Sequence, residues 1–358
     1  MKEFRLEGRL MRRRWLLWLI PVLVLAVLGY QVVRAQRSTI LQADSQAALA
    51  QEFAWTVPKS QVADFKRTIK ENPGKTLTAN ARQSLAVYDR LKKAVAANDG
   101  WAFTKAYAAY QHLQGTPDVA LDTMVGRHIT RISNYDPTKP ALNSLPTAQP
   151  FLILVALAFG VALNLTALTR RQEDVFALMP TSKLGIYWHR LVWTVAATFG
   201  AFLLANLVVF LYLAARGGIG RWDYPLPNRI TGGTVTLGLT LLAYFGMMAL
   251  WVVVLAALGG LARTLSPKLV TVLAVLLAVL LLSQTTVFQS GTMPHLALYW
   301  LPNYVQVWNP IGYTLSEAAD PTLGNVLFPL QKAMPLLAAY AAAFAGIGAV
   351  IVAVRRRV

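Results

Sequence analysis

The stretch Arg170-Arg171-Gln172-Glu173-Asp174-Val175-Phe176-Ala177-Leu178-Met179-Pro180-Thr181-Ser182-Lys183 sets two adjacent carboxylates between two long apolar runs. Carboxylates suit the start of a helix, where unpaired first-turn N–H groups carry partial positive charge. Val175, Phe176, Leu178 and Met179 supply an apolar edge, and Pro180 stops the helix by removing a donor and restricting its predecessor. An apolar two-turn helix at a basic membrane face needs a partner to cover it. The apolar runs carry no HExxH, no paired carboxylate and no serine with a nearby histidine, which disfavours an intramembrane enzyme. No GxxxxGK[ST] loop is present, so this chain should not hydrolyse nucleotide. With no cysteine, disulfides, thiolate metal sites and a cysteine nucleophile are excluded. His112 and His128 are separated by a turn signal and read as structural histidines.

Polar uncharged side chains do lie within the apolar runs: Asn164, Thr166, Thr198, Asn206, Tyr244 and Ser283-Gln284-Thr285-Thr286. They fit two roles, a path for an amphipathic substrate or hydrogen bonds between helices. Met247, Met248 and Trp251 would add a soft, adaptable surface to such a path, or simply contact lipid and neighbouring helices. The candidate path residues are therefore Asn164, Asn206, Tyr244, Met248, Trp251 and Gln284. The run interiors contain essentially no Asp, Glu, Lys or Arg, which argues against proton- or ion-coupled transport. Energy for any driven transport would enter from another polypeptide.

These residues are positioned by a polytopic membrane fold. The 358 residues are 56% hydrophobic, with a mean hydropathy of +0.45. Several uncharged runs are long enough to be transmembrane helices. The expected fold is all-α with six spans: 15–33, 150–169, 187–215, 234–261, 269–288 and 334–354. A basic, partly amphipathic segment (1–14) precedes the first span, which reads as an uncleaved anchor. Residues 34–149 have the mixed charge of a separate helical domain of about five short helices. These are punctuated by Pro58, Asn72-Pro73-Gly74, Asn98-Asp99-Gly100 and Gly115-Thr116-Pro117, with Asp99 as an N-cap. Leu85, Tyr88, Leu91 and Val95, and then Phe103, Tyr107 and Tyr110, supply its core. In the last span Ala338, Ala342 and Gly346 form a small-residue ridge suited to close helix approach.

The net charge of +18 comes from Lys and Arg at span ends, not from a nucleic-acid surface. Placing both termini in the cytoplasm puts fifteen Lys/Arg on that side, against four in the two short opposite loops. The 34–149 domain is then extracytoplasmic. Residues 289–333 are too polar and proline-rich to span. Aromatic-rich Ala297-Leu298-Tyr299-Trp300-Leu301-Pro302 and Val305-Gln306-Val307-Trp308-Asn309-Pro310-Ile311-Gly312-Tyr313 fit short helices dipping back into the outer leaflet, or a surface loop with an aromatic belt.

Assembled, these features resemble the membrane subunit of a type 2 ABC transporter, the permease family of many bacterial exporters. Residues 171–182 are similar to the family's loop between spans two and three, where an acidic residue precedes a short helix ending in Leu-x-Pro-x-Ser/Thr. Asp174-Val175 stands where the family often carries a glycine. Trp308-Asn309-Pro310-Ile311-Gly312-Tyr313 resembles the Asn-Pro-aromatic element before the last span, and the six-span plan with a basic N-terminal segment matches. The resemblance covers 1–33 and 150–358.

The resemblance implies that 172–182 is a coupling helix seated on a separate cytoplasmic ATPase, with Phe176, Leu178 and Met179 as anchors. Glu173 and Asp174 would cap the helix or pair with basic ATPase residues, and Pro180 would end it. Trp308, Asn309, Pro310 and Tyr313 would belong to an outer re-entrant element in 289–333. The implied partners are two copies of a P-loop ATPase, which hold ATP and magnesium, a second permease chain and the lipid bilayer. This chain would hold no cofactor and bind no nucleic acid. The implied location is a bacterial cytoplasmic membrane, and the cargo is a hydrophobic or amphipathic molecule such as a peptide antibiotic, lipid or drug. Alternatives are a membrane receptor, sensor or immunity protein that binds a ligand through 34–149, and a scaffold subunit.

Overall fold

Helix periodicity and turn residues account for most of the backbone in the computed structural model, which describes residues 19–37, 45–74, 76–132, 140–145, 150–166, 182–228, 233–284, 299–311 and 330–354. Contacts divide the chain into two units interleaved in sequence. One comprises Met1–Gln31, Thr147–Leu211 and Leu241–Val358; the other comprises Val32–Pro146 and Tyr212–Thr240. The first helix, α1 (Leu19–Arg37), buries Ile20, Val24 and Leu28 at a spacing of four.

The second unit includes α2 (Ser45–Thr56), α3 (Lys59–Glu71), α4 (Thr76–Ala96), α5 (Gly100–Leu113) and α6 (Val119–Gly126), separated at the turn residues that the sequence singles out. Asp99 caps α5 as expected: its carboxylate accepts from the N–H groups of Trp101 and Ala102 at 3.0 and 2.9 Å. Asn98, just before it, takes a left-handed conformation with φ 52°, which asparagine tolerates. The core is formed by Leu49, Val87, Leu91, Phe103 and Tyr110, with Phe53 and Tyr88 packed against it. Glu52 and Arg131 pair at 2.8 Å, and the Arg131 guanidinium lies 4.6 Å from the centre of the Tyr107 ring.

The same unit recruits residues 212–240, which the sequence reads as the end of the 187–215 span, a short loop (216–233) and the start of a span at 234. Instead, Thr234–Thr236 forms strand β2, antiparallel to β1 (Pro225–Pro227), with Leu226 opposite Val235. The β-branched Thr-Val-Thr run favours an extended pairing over a helical start. Tyr224 anchors the hairpin: its hydroxyl accepts from Ile132 N at 3.1 Å, and its carbonyl accepts from Leu237 N at 2.8 Å. Backbone bonds from Ala141 N to Gly218 O and from Leu142 N to Ile219 O tie in the short helix α7 (Ala141–Ser144).

The first unit is built on α8 (Pro150–Thr166), α9 (Lys183–Gly217), α10 (Leu237–Leu265), α11 (Leu269–Leu281) and the last helix (Leu330–Val354). The 35, 29 and 25 residues of α9, α10 and the last helix make them long and apolar enough to cross a membrane, and the chain is a mainly helical, membrane-embedded protein. Three shorter apolar helices, Leu19–Gln31, Pro150–Thr166 and Leu269–Leu281, accompany them. α11 ends at Leu281 and passes into a 3₁₀ turn at Leu282–Gln284, short of the expected 288.

Helix α8 is apolar all round and sits inside the unit, with Ile153, Leu154, Leu157, Val161 and Leu165 at most 2% exposed. Gly259 lets α10 approach it, since a Cβ there would lie 2.8 Å from Leu165 and 3.2 Å from Val161. α9 and α10 run antiparallel: Tyr187 and Leu191 meet Gly260, while Phe202 meets Phe245. In the last helix the buried ridge is Leu337, Ala341, Ala345 and Gly348, where the Tyr187 hydroxyl donates to Ala345 O at 3.2 Å. The ridge expected from the sequence is offset from it by about one residue, with Ala338 and Ala342 exposed. The abundance of alanine hid the register.

Candidate functional site

Between α10 and the last helix, residues 299–311 form a 3₁₀ turn (Leu301–Val305) and one helical turn, α12 (Trp308–Ile311); the last helix is α13. Despite two prolines, most of 301–311 is buried, while Tyr299 and Gln306 are exposed: Tyr304 is 1% exposed, Val305 and Val307 are 0%, and Pro302, Trp308 and Pro310 are buried as well. Two contacts tie it to α10. The Trp251 indole N–H donates to Tyr304 O at 2.9 Å, and the Tyr244 ring stacks on Trp308 with centroids 4.4 Å apart and planes within 5°. Aromatic packing of this kind adds to area burial, and the donor satisfies an irregular backbone carbonyl away from water. Phe202 and Phe245 flank Tyr244, and Met247 and Met248, both fully buried, fill the next turn of α10.

The structure brings Tyr244, Met248, Trp251 and Trp308 into this one cluster, with Pro310 buried beside it. Asn164 and Asn206 make their hydrogen bonds within the helix packing. Asn164 is 1% exposed and donates through Nδ2 to Thr198 Oγ1 at 3.2 Å, linking α8 to α9. Asn206 donates back to Phe202 O at 2.8 Å, within its own helix. Gln284 closes the 3₁₀ turn after α11. The polar residues with described side chains thus face the interior. Tyr304 was not legible from sequence because its role runs through its main-chain carbonyl. Glu173, Asp174, Phe176, Leu178, Met179, Pro180 and Tyr313 lie outside the described residues.

A second feature lies at the start of α9. A cavity of about 230 Å³ is lined there by Lys183, Arg190, Arg263 and Thr264, with Leu165 and Val352 among its apolar walls. Among the described residues no group of three or more His, Cys, Asp or Glu could hold a metal. The arrangement offers packing, hydrogen bonding and positive charge. Comparison with known protein families, curated proteins and solved structures finds no match.

Proposed function

We propose that this chain is the membrane permease subunit of an ATP-driven exporter of the type 2 ABC class, moving a hydrophobic or amphipathic substrate. In this reading it has six spans, both ends are cytoplasmic, and a separate ATPase drives it through residues 172–182. The 34–149 domain is extracytoplasmic. The observation that carries the reading is the burial of most of 301–311 against α10. A proline-rich segment that cannot span, yet is packed through Trp251–Tyr304 and Tyr244–Trp308, is what an outer re-entrant gate requires. Tyr244, Met248 and Trp251 are interior here, so opening a path along them needs this segment to move away from α10. The motif resemblance at 171–182 and 308–313 supports the same reading.

The test is co-purification. The tagged chain, expressed in its own host, should retain a P-loop ATPase through the membrane extraction. Phe176→Asp or Leu178→Asp should abolish retention while leaving the chain folded. Retention unchanged in both variants would remove the coupling assignment.

A further inference from the structure

Two large apolar side chains stand exposed on the connection between α9 and α10: Ile219 is 57% exposed and Trp222 59%. The main chain that carries them is held in place. Ala141 N and Leu142 N donate to Gly218 O and Ile219 O at 2.9 and 3.1 Å, and Gly238 N donates to Trp222 O at 2.9 Å. Gly218 and Gly220 take positive φ, 77° and 92°, which glycine adopts without strain. A Cβ on Gly220 would lie 2.8 Å from the Pro140 side chain, so the backbone sits close against the start of α7. Hydrogen bonds from α7 and from the first turn of α10 therefore fix the connection, while Ile219 and Trp222 point away from the protein. Apolar side chains displayed on a fixed backbone and rimmed by polar ones mark an interaction surface.

Their place in the chain identifies the partner. α9 ends at Gly217, two residues before Ile219, and α10 begins at Leu237; both helices are long enough to cross a membrane. A short connection between two such helices emerges at the bilayer surface. The polar groups around it suit the headgroup layer and not the hydrocarbon. Arg221 donates to both carboxylate oxygens of Asp223, at 3.0 and 2.8 Å, with both side chains exposed. Arg216 Nη1 donates to the Tyr212 hydroxyl at 3.1 Å. Tryptophan and tyrosine, each an apolar ring with one polar group, favour that same layer. We propose that Ile219 and Trp222 insert into the boundary between lipid headgroups and acyl chains and anchor the α9–α10 connection at that depth. The assignment needs only a membrane-embedded chain and is independent of the exporter reading.

The chain has no cysteine, so a single introduced one takes a nitroxide spin label at that position alone. The full-length chain with Ile219→Cys or Trp222→Cys is labelled and reconstituted into phosphatidylcholine vesicles. Gln83→Cys, at an exposed position on α4, serves as the aqueous reference. Collisions of the label with oxygen, which concentrates in the bilayer, are compared with collisions with a water-soluble nickel chelate. The ratio of oxygen to nickel collisions should be several-fold higher at 219 and 222 than at 83. The Trp222 ring packs on Gly238, so if Trp222→Cys disturbs the connection, Ile219→Cys decides. A label at 219 as open to nickel as the one at 83 would overturn the anchor, because the side chain would then face water. A label at 219 shielded from both reagents would overturn it in favour of a protein covering the same surface.

Discussion

The indole nitrogen of Trp251 sits 2.9 Å from the main-chain oxygen of Tyr304, so an apolar helix of 29 residues is fastened to a segment that does not itself span. Both residues are at most 1% exposed. Trp251→Phe keeps an aromatic ring but removes the donor, and a buried carbonyl left without a partner costs about 1–3 kcal/mol. The variant should unfold at a lower temperature in detergent. Met248→Leu, a volume-conserving change one turn away, should cost less than about 1.5 kcal/mol. Equal melting of Trp251→Phe and the parent chain would show that the hydrogen bond does not hold the segment.

Asn164 and Thr198 provide a contact between α8 and α9 that a double-mutant cycle can read. Thr198→Val removes the acceptor and leaves the buried Asn164 amide unpaired, whereas replacing both partners with apolar groups is close to neutral. The single Thr198→Val variant should therefore be less stable than the Asn164→Leu/Thr198→Val pair. The coupling energy should be about 0.6 kcal/mol, the usual size for such bonds inside membranes. A coupling of zero would assign both residues to packing alone.

In the second unit the Glu52–Arg131 pair is largely buried, with side chains 8% and 20% exposed. Removing one partner of such a pair typically costs about 3–5 kcal/mol, because the other charge stays buried and uncompensated. The partial exposure of Arg131 lowers that figure through solvent screening. Arg131→Met should cost about 2–3 kcal/mol, and Glu52→Gln with Arg131→Met should recover part of it. Amide hydrogen exchange across 45–126 in the full chain would measure both. Exchange unaffected by Arg131→Met would mean that the pair contributes no net stability.

Tyr224 gives the same unit an alkaline limit. Burial raises its phenol above the ordinary value of 10.0, and the Ile132 N–H donated to its oxygen only partly offsets this. The folded state thus keeps the proton to higher pH than the unfolded chain. This contribution to stability is complete below pH 10.0 and is lost as pH rises from there through the folded value. Tyr224→Phe should flatten that decline, and at neutral pH it should speed exchange of the Ile132 amide. A decline of the same steepness in the variant would place the alkaline sensitivity elsewhere.

The two units differ in how much of each was legible in sequence. Turn residues predict about five short helices in 34–149 and the Asp99 cap, and the helix breaks within 45–126 fall at those turns, because helix ends are set by local chemistry. Apolar runs likewise locate the three helices long enough to cross a membrane, since length and hydropathy are properties of the segment itself. Tertiary structure alone decided which side of a run faces inward. In α13, where alanine occupies nearly every face, the true ridge runs through Ala341 and Ala345, offset from the one that spacing suggests. It also decided that 212–240 folds with 32–146, through the bond from Ile132 to a tyrosine hydroxyl 92 residues away. The burial of Tyr304 and the convergence of Lys183, Arg190 and Arg263 on one cavity belong to the same class. Each depends on residues distant in sequence, and no local periodicity encodes which of them will meet.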